Sequence, residues 1–162
     1  MSLTPTQLER FVAELADTPE LWQHSIRHAN DVRVYEQIWD DEDVNAWLIC
    51  WSEDQDTGFH DHDVSSAAIA VISGQVREDR LRLGDYPGSQ TFGPGQVFTV
   101  PAVAIHRVLH AGEGPAVTLH AYSPRWRAPA PTGWASTASS SASCSPTRRS
   151  SAPRPRSADP TS

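Results

Sequence analysis

Seven histidines punctuate the chain: His24, His28, His60, His62, His106, His110 and His120. The densest grouping is Gly58-Phe59-His60-Asp61-His62, with Gly74 twelve residues after His62. Side chains alternate along a strand, so His60 and His62 are expected on one face, where two imidazoles can grip a single metal ion. An isolated pair of this kind also arises by coincidence on a surface. His24 and His28 stand four residues apart in a helix-like stretch and read as an ordinary exposed face. Cys50 sits in an apolar run and reads as a buried strand residue rather than a nucleophile. Cys144 lies far away in a serine-rich stretch, so no disulfide framework is expected.

The elements that must carry these residues follow from periodicity. Thr4-Pro5-Thr6-Gln7 has the form of a helix start, with Thr4 as cap, Pro5 in the first turn and Gln7 closing a capping box. Leu8, Phe11, Val12 and Leu15 then recur at helical spacing. Thr18-Pro19-Glu20 predicts a second short helix with Trp22 and Ile26 on its apolar face. From about Asp31 the period changes to two, and 32–39, 44–51, 67–73, 75–83, 97–100, 105–110 and 117–122 read as strands. Acidic and glycine-containing turns separate them, and no helix intervenes to build a parallel sheet. The pattern predicts an all-β sandwich or barrel with two short N-terminal helices. Trp39, Trp47 and Trp51 read as core or rim packing.

Charge divides the chain. Residues 1–124 carry a balance of -12, whereas residues 125–162 carry +5, and the chain has no lysine. An acidic body repels phosphates, so nucleic acid is not an expected partner. No apolar run is long enough to span a membrane, and no signal peptide is evident, so a cytoplasmic location is expected. Three regions are anticipated: N-terminal helices over 1–30, a barrel over 31–127, and a Ser/Ala/Pro/Arg-rich tail over 128–162. The tail offers no apolar face and is expected to be disordered. Its composition is also what a GC-rich gene read out of frame produces.

His60, His62 and Gly74, followed by Gly95, Pro101 and His106 at their spacings, resemble the two motifs of the cupin superfamily, with Val103 where a glycine is usual. The resemblance implies a small double-sheet jelly-roll barrel with a metal at its mouth and His106 as third ligand. The glutamate usual after the second histidine is replaced here by Ser66 and Ala67, and strand parity turns Asp61 and Asp63 away. Three neutral imidazoles leave the full 2+ charge on the metal, which favours an anionic thiolate as substrate. Such a set also suits zinc.

Cys50-Trp51, His60-Asp61-His62, Ile105-His106-Arg107-Val108 and the run from Ala116 to Pro124 together resemble the cysteine dioxygenase family of thiol dioxygenases. The resemblance implies ferrous iron, Fe(2+), on His60, His62 and His106. It also implies a hydrogen-bonded relay of Thr118, His120 and Tyr122, with threonine in place of the family's usual serine. Ala67 stands where mammalian members have a cysteine that crosslinks to the tyrosine. Tyr35-Glu36-Gln37 stands where the family has Tyr-x-Arg to hold a substrate carboxylate. Gln37 there is similar to the bacterial branch that prefers 3-mercaptopropionate, and Tyr35 is a second candidate contact.

The reading that follows is a monomeric iron-dependent dioxygenase taking a small thiol, cysteine or 3-mercaptopropionate, and O2 to a sulfinic acid. One alternative is a non-enzymatic cupin that binds a metal or small ligand. Another is a zinc isomerase or hydrolase, for which the chain shows neither a carboxylate ligand nor a separate acid–base pair.

Overall fold

A capped helix begins the fold. In the structure, a computed structural model that describes residues 2–82, 84 and 86–126, helix α1 spans Pro5–Ala16. The Thr4 hydroxyl accepts from the Gln7 amide at 3.3 Å, and the Gln7 side chain accepts from the Thr4 amide at 2.8 Å. Leu8, Val12 and Leu15 form its buried stripe. The second expected helix is instead two 3-10 turns, Pro19–Leu21 and Gln23–Ser25. Trp22 is buried and its indole donates to the Leu15 carbonyl, which turns the chain back on α1, while Ile26 stays exposed. His24 and His28 therefore share no helix face, and both are exposed.

Eight strands follow: β1 Val34–Asp40, β2 Asn45–Trp51, β3 Ser66–Ser73, β4 Gln75–Arg80, β5 Gly88–Phe92, β6 Val97–Val100, β7 His106–Ala111 and β8 Ala116–Ser123. They form a five-stranded sheet in the order β1-β2-β8-β3-β6 and a three-stranded sheet in the order β5-β4-β7. All the named pairings are antiparallel. Strand β5 was not expected. Its residues Gly88-Ser89-Gln90-Thr91 lack alternation because it is a largely exposed edge, and only Phe92 turns inward. The expected disorder of residues 128–162 falls outside the described residues.

The central strand β8 is buried at every position. Its odd residues Val117, Leu119 and Ala121 join Ala46, Leu48, Ala68 and Ala70 beneath Leu8, Val12 and Leu15 of α1. Its even residues face the barrel interior, where Ala116 and Tyr122 meet Ile49, Trp51, Ile69 and Val108. The alanines on the outer face let the helix lie close to the sheet. Parity thus assigns one face of β8 to stability and the other to the cavity.

Gly74 closes the β3–β4 hairpin at φ +68, and a Cβ there would lie 2.6 Å from the Ala116 Cα. Neither the backbone angle nor the packing admits a side chain. Gly74→Ala is expected to cost about 3 kcal/mol, the sum of a left-handed backbone penalty and overpacking. A urea titration checks this, since the midpoint should fall with the slope unchanged.

Candidate metal centre

His60, His62 and His106 offer ring nitrogens that all lie within 4.8 Å of one another. His106 opens β7, whereas His60 and His62 lie in the segment between β2 and β3 rather than in a regular strand. His60 is held by an isolated bridge to His106, with backbone hydrogen bonds of 2.9 Å in both directions. Left-handed residues on either side, Gly58 and Asp63, bend the segment out of any longer ladder. Both rings nevertheless turn inward, while Asp61 and Asp63 are exposed.

Second partners fix which nitrogen of two rings faces inward. His60 Nδ1 lies 3.0 Å from the Gly58 carbonyl, and His106 Nδ1 lies 3.0 Å from Glu78 Oε1. Each acceptor requires a proton on Nδ1, so both rings present an Nε2 lone pair to the centre. The Nε2 atoms of His60 and His106 lie 3.2 Å and 3.3 Å from that of His62. His62 Nδ1 is buried without a hydrogen-bond partner among the described residues. Metal–nitrogen bonds of about 2.1 Å at tetrahedral angles set nitrogens roughly 3.3 Å apart. The donor set therefore fits a divalent transition metal, and lone pairs converging at this spacing repel one another without a cation between them.

Protonation favours the same arrangement. Burial, then the neighbouring His106 and His60 rings, brings the His62 pKa down to about 3. Burial also lowers His60. Rings that resist protonation keep their lone pairs for a metal at neutral pH.

Beside the triad, three even-numbered residues of β8 form a chain. The Trp51 indole donates to Thr118 Oγ1 at 2.9 Å, and Thr118 Oγ1 lies 2.9 Å from His120 Nε2. Tyr122 Oη is 3.4 Å from His120 Nδ1. Because indole can only donate, Thr118 Oγ1 accepts from Trp51 while it also bonds His120 Nε2. Burial holds His120 well below its ordinary pKa, so the ring is neutral, with Nε2 toward Thr118 and Nδ1 toward Tyr122. Tyr122 lines the cavity. Burial raises its pKa, which keeps it a neutral donor.

The cavity is bounded by the three histidines, His120, Tyr122 and Trp126. Trp126 stands 4.8 Å from the Tyr122 ring and 5.1 Å from the His62 ring, centre to centre. Its backbone is clamped by the Asn45 side chain at both N and O. Ala67 pairs directly with Tyr122 across β3 and β8, so no sulfur faces the phenol from that position.

Tyr35 and Gln37 lie in the same rows as the relay, two strands away. Gln37 pairs with Trp47, which pairs with His120, and Tyr35 pairs with Ile49, which pairs with Thr118. Tyr35 is half-buried against Trp47, whereas Gln37 is exposed, and neither lines the cavity itself. Trp51 is fully buried, as is Cys50, and His110 bonds the Gly114 carbonyl away from the triad.

Three contributors escaped sequence reasoning. Trp126 follows the last motif and has no periodic neighbours to flag it. Arg33 precedes β1, donates to the Asp56 carbonyl at 2.5 Å and lies 5.2 Å from the centre of the Trp51 ring. Its positive charge reaches His60, His120 and Tyr122. Glu78 backs His106 from the face of β4 that it shares with buried Val76 and with Arg80, a face whose two charged residues give no sign of burial in the sequence. Burial alone would raise the Glu78 carboxyl, but hydrogen bonds from His106 and Arg80 and the Arg80 charge hold it below the usual carboxylate value.

Residues 16–130 match the sequence profile of the family described as Cysteine dioxygenase type I. A curated relative, cysteine dioxygenase type 1 of Danio rerio, is 30% identical over a stretch covering 49% of this chain and 45% of the relative. The match thus spans less than half the length of that relative. Among solved structures, a protein of Thermus thermophilus superposes with a TM-score of 0.57 at 20% identity, covering 64% of this chain and 93% of its own. An RmlC-like cupin with a double-stranded β-helix fold from Methanocaldococcus jannaschii gives 0.50 at 14% identity, covering 61% and 86%. These likenesses establish the cupin fold. Among the described residues, no helix is long and apolar enough to cross a membrane.

Proposed function

The chain belongs to the cysteine dioxygenase type I family, and on that footing we propose that it is a cytoplasmic, iron-dependent dioxygenase of small thiols. Its substrate is cysteine or 3-mercaptopropionate, and its product the sulfinic acid. The reaction R–SH + O2 → R–SO2H balances without a further reductant, since sulfur is oxidised by four electrons and both oxygen atoms end on it. The observation that carries this reading is the meeting of two separate devices on one small cavity. Three imidazoles converge there, and the buried Tyr122 phenol, beside His120, lines the same cavity.

His60, His62 and His106 would hold the iron, which supplies a Lewis acid for the thiol and an electron source for dioxygen. The uncharged ring set lets an anionic thiolate approach a net positive centre. Tyr122 holds a proton at Oη and donates it as a hydrogen bond where negative charge develops on oxygen or sulfur. His120 and Thr118, with Trp51 behind them, keep that hydroxyl oriented. Trp126 screens the cavity from water. Arg33 adds a positive field that favours a substrate bearing a carboxylate. Gln37, in the row of His120, and Tyr35, in the row of Thr118, lie outside the cavity lining and would meet only a carboxylate that extends from it toward β1.

A non-enzymatic metal-binding cupin would need the triad but not the relay, and here Trp51, Thr118 and His120 are linked at 2.9 Å and buried, with Tyr122 beside them. Oxygen uptake and sulfinate formation by the Fe(II)-loaded protein, on each of the two thiols, decide between the readings. Stoichiometric iron with no uptake on either thiol would favour the binding protein.

Substrate preference is tied to Gln37. A neutral amide cannot reproduce a bidentate arginine–carboxylate pair, so cysteine should hold no strong advantage over 3-mercaptopropionate. Gln37→Arg should shift the ratio of kcat/KM toward cysteine. A wild-type preference for cysteine above about a hundredfold, roughly 2.7 kcal/mol, would show that Gln37 does not face the substrate.

A further inference from the structure

We propose that Glu78 is a positioning residue of the metal centre, whose anionic carboxylate makes His106 the strongest donor of the three histidines. This rests on the reading of His60, His62 and His106 as metal ligands.

The three imidazoles are not equivalent. His60 donates its Nδ1 proton to a neutral carbonyl, and His62 Nδ1 has no partner among the described residues. His106 alone is backed by a carboxylate, at 3.0 Å. Glu78 is only 6% exposed, and a buried anion is costly unless it is paired and hydrogen-bonded. Its pairing is complete. Arg80 Nη2 lies 2.7 Å from Oε1 and 3.0 Å from Oε2, and Arg80 Nε lies 3.3 Å from Oε1. Arg80 Nη2 also donates to the Thr99 carbonyl at 3.0 Å, which ties β4 to β6 of the other sheet. The chain Thr99–Arg80–Glu78–His106 therefore braces one ligand against both sheets.

The strand register supports a directed role. Arg80 pairs with His106 and Glu78 with Val108, so the carboxylate reaches His106 diagonally. Arg80 is 34% exposed on its side chain, and a carboxylate serving Arg80 alone could meet it nearer the surface. Glu78 instead turns inward to the imidazole. A carboxylate behind a metal-binding histidine fixes its tautomer and raises its basicity. Here it also returns negative charge to a centre whose own ligands carry none. That charge favours the higher oxidation state, because a trivalent ion gains more from a nearby anion than a divalent one.

The test uses Glu78→Gln, whose amide oxygen can still accept from His106 Nδ1 while the charge is gone. Affinity for Co(II), titrated on the full chain, should fall tenfold or more. The Fe(III)/Fe(II) midpoint should rise by about 59 mV for each tenfold loss of ferric preference. Asp79→Asn removes a buried carboxylate of the same strand that bonds Ser89 and Arg107 rather than a histidine ring, and should lower thermal stability while leaving Co(II) affinity within about threefold. If Glu78→Gln does not fold, the double variant Glu78→Gln/Arg80→Met removes the stranded guanidinium and is titrated in its place. Co(II) affinity within threefold of wild type, with an unchanged midpoint, would overturn the proposal. Equal loss of affinity in Glu78→Gln and Asp79→Asn would also overturn it, by making Glu78 a structural anchor. A wild-type chain that binds no Co(II) would instead bring down the metal assignment itself.

Discussion

Alanine at His60, His62 or His106 is expected to abolish iron loading and oxygen consumption together. Each ring contributes one Nε2 to a set whose members lie 3.2 Å and 3.3 Å apart, and two imidazoles do not hold a labile ferrous ion against dilution. The three variants should differ in stability even though they agree in metal content. His62 and His106 are each 1% exposed, so their removal leaves buried space, whereas His60 is only half-buried. His106→Ala also leaves the Glu78 carboxylate without its imidazole donor. Melting curves without metal therefore separate a folding defect from the loss of a ligand. Stoichiometric iron in any one variant would remove that residue from the site.

Tyr122→Phe should keep full iron content and slow turnover on the order of a hundredfold, the usual effect of removing one positioned polar group. The substitution is conservative in shape. The ring contacts to Trp126 at 4.8 Å and His62 at 5.0 Å survive, and only the hydroxyl is lost. His120 loses a single contact of 3.4 Å, longer than an ordinary hydrogen bond, so the effect on stability should be small. Single-turnover rates on protein of measured iron content check the result. Full activity in the variant would show that the phenol takes no part in the chemistry.

Much of this architecture was legible in the chain. The helix start at Thr4, seven of the eight strands and the pairing of His60 with His62 follow from capping chemistry and a period of two, whereas His106 enters through the resemblance to the cupin motifs. Legibility failed where local pattern and tertiary setting part company. Strand β5 pairs through its backbone at an exposed edge, and such pairing needs no apolar alternation. The stretch after Thr18 has the composition of a helix start, but burial of Trp22 against α1 shortens it to two turns. His60 and His62 converge as parity suggested, yet by a bridged bend rather than a strand. Glu78 was hidden for another reason. Its partner His106 lies 28 residues away, and only the β4–β7 register brings the two together.

Strand β8 has no spare surface. Its eight residues alternate between the seat of a helix and the wall of the cavity, and neither set faces solvent. Such a strand cannot drift quietly. A change at Val117, Leu119 or Ala121 must be absorbed by α1, and one at Thr118, His120 or Tyr122 by the cavity. The two obligations are also mechanically joined, because a backbone shift that accommodates a larger outer side chain rotates its inner neighbours by the same pleat. A substitution facing the helix can therefore misalign the phenol proton without touching any residue of the relay. The strand and the helix that covers it form one packed unit, and transplanting the motif without α1 would carry over the residues but not their aim.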